Sequence, residues 1–320
     1  MSVSAHRIVV LTGGTGGAKL VRGLERTLRG DALTVIVNAA DDLEWWGLHV
    51  SPDIDSVMYG LAGMLSRERG WGIEGESFAC LNAAEQVGLP TWFQLGDRDL
   101  ALHVARTEML RTGKTLSEAT AELANRLGIR AKLLPMTDAR VETRVLTAAG
   151  DLSFQEYFVR ERYRPEPLAV RYEGAGQAEP ASGVLWAIAD ADAIIIAPSN
   201  PITSIGPILA VPEIREALRQ SQAPVAAVSP IVGGAAVSGP AAALMRCVGF
   251  EASLHGIAMA YLDLLDVLIA DRRDGGAALP ENITVHFCDT IMVSENAKEA
   301  LAREALTALE RFEAKEMSVS

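Results

Sequence analysis

Aromatic residues are scarce in this chain: Phe, Tyr and Trp make up 5% of its 320 residues. That argues against a stacking track for single-stranded nucleic acid. Basic residues are also few, with 29 Lys and Arg against 41 Asp and Glu, for a formal net charge of −12. An acidic surface repels a phosphodiester backbone, so no nucleic-acid partner is expected. Small anionic substrates remain open. Their charge has to be met locally, by backbone N–H groups, a few Lys or Arg, or a bound cation. Cysteine is limited to Cys80, Cys247 and Cys288, none at metal-ligand spacing from another, which reads as reduced thiols in a reducing compartment. No run approaches 18 apolar residues, since Asp190 and Asp192 break the longest candidate, and the N-terminus shows no signal-peptide core. A cytoplasmic protein without a membrane partner is expected.

What the chain does have is apolar content, 49% of its residues, enough to bury a full core in one large domain or two small ones. Residues 7–12 and 33–38 read as buried strands and 18–29 as the helix between them, a βαβ opening that predicts a parallel sheet. The same rhythm returns later, with strands over 193–197, 224–229, 266–270 and 283–288 and helices over 205–220, 239–248 and 294–312. Between these blocks, Glu74–Val87, His103–Thr112 and Leu116–Leu127 read as helices, 141–159 as a hairpin and Tyr163–Pro180 as a connector. The fold class is therefore α/β: a Rossmann-like, doubly wound, mainly parallel sheet. Its core is expected from 1–60 and 182–320, interrupted by a smaller, mostly helical insertion at 61–181.

Three loops follow predicted strands, where an open α/β sheet binds its ligands. The first is Thr12-Gly13-Gly14-Thr15-Gly16-Gly17-Ala18-Lys19. Its glycines let the backbone approach an anion at a helix N-terminus. It fits neither standard phosphate motif. The dinucleotide pattern needs Gly where Lys19 stands, and the P-loop needs Ser or Thr where Leu20 stands. The alternative is a tight turn that only packs strand on helix.

The second loop, Asn38-Ala39-Ala40-Asp41-Asp42, is followed by Asp53 and Asp55. Carboxylates gathered at a strand end can hold Mg²⁺ through oxygen while leaving positions for a substrate phosphate. One of them can serve as general base toward a hydroxyl. The alternative for Asp53 or Asp55 is capping of the next helix. The third loop is Pro198-Ser199-Asn200-Pro201, whose Ser-Asn pair offers donors to a base, ribose or phosphate. Ser229-Pro230-Ile231-Val232-Gly233-Gly234 repeats that logic after the next strand. In the insertion, Arg98 can pair with a phosphate or with Asp97 or Asp99. Trp45 and Trp46 can close over a flat ligand or simply pack.

In combination these segments resemble the 2-phospho-L-lactate transferase family. The resemblance rests on the glycine loop, Asp41-Asp42, Ser51-Pro52-Asp53-Ile54-Asp55, Arg69-Gly70-Trp71-Gly72-Ile73 and Leu95-Gly96-Asp97-Arg98-Asp99. It continues through Leu134-Pro135-Met136-Thr137-Asp138, Phe154-Gln155-Glu156-Tyr157-Phe158, 198–209, 229–240 and Asp289-Thr290-Ile291-Met292, in order over nearly the whole chain.

It implies an enzyme of coenzyme F420 biosynthesis. Such enzymes join the deazaflavin Fo to a guanosine-diphosphate-activated three-carbon acid, releasing GMP, with Mg²⁺. The acid is 2-phospholactate, phosphoenolpyruvate or 3-phosphoglycerate. By resemblance, Asp41, Asp42, Asp53 and Asp55 hold Mg²⁺ and orient the hydroxyl. Gly13, Gly14, Thr15, Gly16, Gly17, Lys19, Ser199, Asn200, Ser229, Gly233 and Gly234 hold the nucleotide. Fo lies near Asp55, Thr91, Trp92, Gln94, Pro135, Met136 and Phe158. A homodimer is implied. The chain departs from the family pattern at Ala39 and Ser56, where Thr is usual, and at Gln94, where a basic residue can occur.

Two other readings were weighed. Related non-catalytic regulators bind nucleotide sugars, but there the double aspartate precedes a Gly- and Ser-rich segment, not Leu43-Glu44-Trp45-Trp46-Gly47. An NAD-dependent dehydrogenase lacks support because the third fingerprint glycine is missing.

Overall fold

The structure, a computed structural model, describes residues 7–28, 32–237, 239–276 and 279–319. Two short, nearly all-buried runs, β1 (Ile8–Thr12) and β2 (Leu33–Val37), pair in parallel at its centre. Buried β-branched runs of this kind belong to sheets covered on both faces. Between them lies α1 (Gly14–Thr27), which starts four residues before the expected 18 because the glycine loop forms its first turn. Position 29 of that expected helix lies outside the described residues. A two-strand hairpin, β3 (Leu43–Trp45) and β4 (Leu48–Val50), then leads into α2 (Pro52–Leu61).

The stretch expected as a mostly helical insertion carries α3 (Ala79–Gln86), α4 (Asp97–Arg111) and α5 (Leu116–Arg126). It also carries strands. β5 (Lys132–Pro135) pairs with β2 and forms one edge of the central sheet. β6 (Glu142–Thr147), β7 (Gly150–Ser153) and β8 (Pro167–Glu173) make a separate antiparallel sheet, so the expected connector over Tyr163–Pro180 contains a strand. Four residues ending in Pro are too few to show a period, and β8 opens on Pro, runs Leu-Ala-Val and ends on Arg-Tyr-Glu without a clean alternation, which hid both.

After α6 (Val184–Ala189) the core resumes with β9 (Ala193–Ile196), α7 (Gly206–Ala210), α8 (Pro212–Gln220) and β10 (Val225–Val228). A second small hairpin, β11 (Ile231–Val232) and β12 (Ala235–Ala236), precedes α9 (Ala241–Cys247) and α10 (Leu254–Ala260). β13 (Val267–Asp271), β14 (Thr284–Cys288) and α11 (Glu295–Val319) complete the chain.

The seven-stranded sheet runs β14-β13-β10-β9-β1-β2-β5, with every pairing parallel. The chain moves from β1 outward to β5, then returns to β9 and moves outward the other way. The order therefore reverses between β1 and β9, and a crevice opens beyond their carboxyl ends. The glycine loop leaves β1 there, and the Pro198 loop leaves β9 beside it. No helix among the described residues is long and apolar enough to cross a membrane.

The two loops interlock. A Cβ on Gly17 would fall 1.8 Å from Thr12 Oγ1 and 2.6 Å from Ser199 Oγ, and one on Gly16 would fall 2.9 Å from the Pro198 carbonyl. Gly17→Ala is therefore expected to destabilise the fold by about 1–3 kcal/mol. Urea unfolding measures it, and an unchanged midpoint would mean that the loops separate freely.

Candidate active site

Asn38 is the joint of the crevice. It ends β2 with no exposure, and its amide donates to Asp53 Oδ2 at 2.9 Å and to the Thr203 carbonyl at 3.2 Å. Its own oxygen accepts the Ala40 N–H at 2.9 Å, which turns the chain into Asp41-Asp42. One side chain thus ties β2, α2 and the loop after β9 together. The sequence reading quoted Asn38 in its motif without giving it a role.

Asp53 sits in the first turn of α2 and reaches across to the glycine loop. It accepts the Gly14 N–H, and a Cβ on Gly13 would fall 2.2 Å from its Oδ2. Burial raises its pKa to about 6, against the pull of Asn38 and the Gly14 N–H, and Asp42 adds to the rise. Asp41 is more exposed to this cost. Neither of its buried oxygens has a hydrogen-bond partner. Burial pushes its carboxyl well above the usual range, and the charges of Asp53 and Asp42 push the same way. Thr143 and Asn38 lie near enough to favour its charge, but Thr143 Oγ1 is itself unbonded.

Asp42 is half satisfied. Its Oδ2 accepts from Ser51 Oγ at 2.7 Å and His49 Nε2 at 2.9 Å, while its buried Oδ1 accepts nothing. Burial raises its pKa, and His49 and Ser51 oppose that. Asp55 belongs to a different network. It is clasped by the fully buried Arg106 and accepts the Ser51 N–H at 3.3 Å. Burial works against the Arg106 charge, but Asp55 outweighs it and raises its pKa. His103 lies 3.6 Å from Asp55 and 3.2 Å from Asp99, and Asp99 bonds Tyr59. His103 is thus a structural group, as its isolation in the sequence suggests, whereas Arg106 gives no sign of its role because it stands in a helix charged along most of its length. Arg98, read as a phosphate or aspartate partner, instead donates to the Glu74 carbonyl at 2.8 Å.

The four aspartates therefore do not converge on one point. Among the described residues no three His, Cys, Asp or Glu side chains are placed to share a metal ion. Three oxygens, both of Asp41 and one of Asp42, are buried and unbonded. That fits Mg²⁺ held through one or two carboxylates and completed by substrate phosphate and water. Neither Asp53 nor Asp55 is the N-cap of α2; Ser51 is.

Of the expected nucleotide-binding groups, Thr15, Gly16 and Lys19 are half-buried at the start of α1, and Lys19 has no ion pair among the described residues. Several others are already engaged. Ser199 Oγ donates to the Gly13 carbonyl at 2.7 Å and accepts its N–H at 3.2 Å, pinning the glycine loop. Asn200 Oδ1 accepts from Ile202 and Thr203 and starts the helical turn Pro201–Ile205. Ser229 bonds Ile231 within its own loop. The N–H groups of Gly233 and Gly234 donate to the two carboxylate oxygens of Asp274 at 2.9 and 2.8 Å.

The residues expected around Fo fall into two groups. Thr91 and Trp92 are half-buried, Gln94 is exposed and Phe158 is 36% exposed. Pro135 and Met136 are buried beneath, and Met136 donates its N–H to the Val37 carbonyl. Trp92 packs edge-on against Trp45 with centroids 4.7 Å apart, and the Arg160 guanidinium lies 5.7 Å from the Trp92 ring. Arg160 and Phe158 share the turn Glu156–Arg160. Just before it, the Gln155 amide donates to the Asp41 carbonyl at 3.3 Å. This segment thus meets Trp92 through Arg160 and the acidic loop through Gln155. Phe158 stacks between Phe154 and Tyr163 at 5.4 and 5.7 Å.

Two groups hold protons the unfolded chain has lost. An ordinary Asp releases its proton near pH 4 and Asp53 near 6, so stability falls as pH rises across that window. Asp41 acts in the same direction. At pH 7.5, without added metal, Asp41→Asn is expected to raise the melting temperature by roughly 2 °C or more. Asp53→Asn is expected to flatten the slope between about pH 4 and 6. Thermal melts across pH check both, and a lower Asp41→Asn midpoint would contradict the cost assigned to that carboxylate.

A family model described as "2-phospho-L-lactate transferase CofD" matches residues 8–311. The 2-phospho-L-lactate transferase of Methanopyrus kandleri is 46% identical over 310 residues, covering 96% of this chain and 98% of that protein. The phosphoenolpyruvate transferase of Streptomyces griseus subsp. griseus is 44% identical over 317 residues, covering 96% and 100%. Among solved structures, a UPF0052-family protein of Bacillus halodurans superposes with a TM-score of 0.60 at 18% identity, covering 94% of this chain and 99% of that one. At that identity the likeness shows the fold alone.

Proposed function

The chain belongs to the 2-phospho-L-lactate transferase family, and on that premise we propose that it makes the phosphodiester of coenzyme F420 from Fo and a guanosine-diphosphate-activated three-carbon acid. The observation that carries this reading is the set of buried, unbonded oxygens on Asp41 and Asp42 in the acidic loop after β2, at the same sheet edge as the glycine loop. A carboxylate kept out of water without a partner costs stability and persists where it serves a ligand.

In the proposed reaction the terminal hydroxyl oxygen of Fo attacks the phosphorus next to the acid. A new P–O bond forms, and the bond from that phosphorus to the bridging oxygen breaks. GMP leaves with the bridging oxygen. Phosphoryl chemistry of this kind needs mainly positioning and charge neutralisation. Mg²⁺, held by Asp41 and by Oδ1 of Asp42, would supply positive charge for the phosphates.

Asp53 is the proposed base. Asn38 and the Gly14 N–H hold it beside the glycine loop, and a value of about 6 suits a group that takes up the hydroxyl proton near neutral pH. The N–H groups of Thr15 and Gly16, which have no partner within the first turn of α1, and the Lys19 ammonium face the donor's phosphates in this reading. Thr91, Trp92, Gln94 and Phe158 border Fo, with Pro135 and Met136 supporting that wall from below. Asp55 contributes through its hold on Ser51 and Arg106 rather than by touching Fo.

The test is a mass-spectrometric endpoint assay. Protein, Mg²⁺ and Fo are mixed separately with guanosine-diphosphate-activated lactate, enolpyruvate and glycerate. The expected result is an Fo phosphodiester and GMP with one donor, which identifies the acid. Folded protein giving no product with any donor would overturn the reading. With the productive donor, kcat/KM should rise with pH through about 6, and Asp53→Asn should lower kcat by about 10²–10⁴. A flat acidic limb, or an active Asp53→Asn, would remove Asp53 as the base.

A further inference from the structure

We propose that Ser51 and His49 are positioning residues for the transfer: together they bind one oxygen of Asp42 and leave its other oxygen as the one it offers a ligand. The inference rests on the reading above, in which Asp42 serves the reaction.

Ser51 carries the first sign. It is the N-cap of α2, where a serine hydroxyl ordinarily accepts a backbone N–H and stabilises the helix. Its hydroxyl makes no such bond. It donates to Asp42 Oδ2 at 2.7 Å instead, from a residue with no exposure. A local rule broken without a structural gain marks a functional position.

His49 approaches the same oxygen from β4, with Nε2 at 2.9 Å. Two donors on Oδ2 and none on Oδ1 fix the plane of the carboxylate and decide which edge it presents.

Both donors are themselves held. The Ser51 N–H donates to Asp55 at 3.3 Å, and Asp55 is clasped by Arg106. The His49 N–H donates to Thr107 Oγ1 at 2.8 Å, and that hydroxyl donates to the His103 carbonyl at 2.6 Å. Both lines end on α4. The buried Arg106 and His103 set is therefore the frame behind Asp42. On its other side His49 lines an open cavity of about 340 Å³ with Glu44, Gly47, Thr107, Leu110 and Arg111. Truncating His49 thus leaves no sealed void.

The experiment compares Ser51→Ala, Ser51→Thr and His49→Ala with the unaltered protein. Steady-state kinetics are measured with the productive donor, and Mg²⁺ binding to the resting protein is measured by calorimetry. Ser51→Ala and His49→Ala are each expected to weaken Mg²⁺ binding by about 10–100-fold. Each should lower kcat at least about 10-fold while leaving KM for Fo within about twofold. Ser51→Thr, which keeps the hydroxyl, should restore both. Unchanged Mg²⁺ affinity and kcat in a folded Ser51→Ala or His49→Ala would overturn the proposal. So would a threonine variant that folds but stays as impaired as alanine. Should Ser51→Ala fail to fold, His49→Ala carries the test. If the unaltered protein transfers nothing, the proposed function fails, and the calorimetry still decides whether Ser51 and His49 set the metal affinity of Asp42.

Discussion

Burying negative charge at the end of β2 is the constraint around which the crevice is organised. Within fifteen residues of sequence, Asp41, Asp53 and Asp55 are buried and Asp42 is mostly so. Left alone, such a group would neutralise by taking up protons or would open the fold. Each carboxylate meets the problem differently. Asp55 receives a buried guanidinium. Asp53 receives an amide and a helix N-terminal N–H. Asp42 receives two donors on one oxygen. Asp41 receives none on either. Satisfaction runs from complete at Asp55, clasped by Arg106 of α4, to none at Asp41, beside Thr143 and Asp53. The rigid side supplies the frame, and the unsatisfied side is where a ligand lowers the free energy most.

The scaffold explains why this arrangement can persist. Asn38 stands between β2, α2 and the Thr203 carbonyl, so the acidic loop cannot relax without breaking contacts to two other elements. Ser199 does the same for the glycine loop, bonding both the N–H and the carbonyl of Gly13. The Gly16 and Gly17 contacts leave no slack between those loops. A large core beneath, built on the parallel sheet, supplies the stability that the buried carboxylates draw on.

Much of this was legible in the sequence, and the reasons are physical. β1, β2, β9 and β13 are short apolar runs rich in β-branched residues, closed by Gly, Asn, Pro or Asp, and a buried parallel strand has few other appearances. The loops that follow them advertise phosphate and metal chemistry through Gly, Asp and Ser. What the sequence could not convey is who accepts a given donor. Ser199, Asn200 and Ser229 look available to a nucleotide, yet each is bonded to its own neighbourhood. Gly233 and Gly234 form an anion-binding pair of N–H groups, but Asp274, forty residues on, supplies the anion. Arg106 was hidden for the opposite reason. α4 is charged on most of its faces, so periodicity does not reveal the one that is buried. β5 was missed because four residues ending in proline carry no period, although they complete the sheet beside β2.

The overall charge of −12 returns at this point as a question of mechanism. The proposed donor, with two phosphates and a carboxylate, would enter a crevice that already holds several carboxylates. The glycine loop offers little with which to receive it. The Gly14 N–H is taken by Asp53, and the Gly13 N–H is taken by Ser199. That leaves the N–H groups of Thr15 and Gly16 and the Lys19 ammonium, a modest sum against three or four negative charges. Arg106, the strongest cation nearby, is neutralised by Asp55 and sealed from the crevice. In the proposed reaction the remaining positive charge would come with the substrates. A divalent cation captured by Asp41 and one edge of Asp42 would turn the least satisfied corner of the protein into the most favourable place for phosphate. In that reading the acidity that repels nucleic acid makes transfer conditional on the metal, and an empty crevice holds phosphates poorly by design.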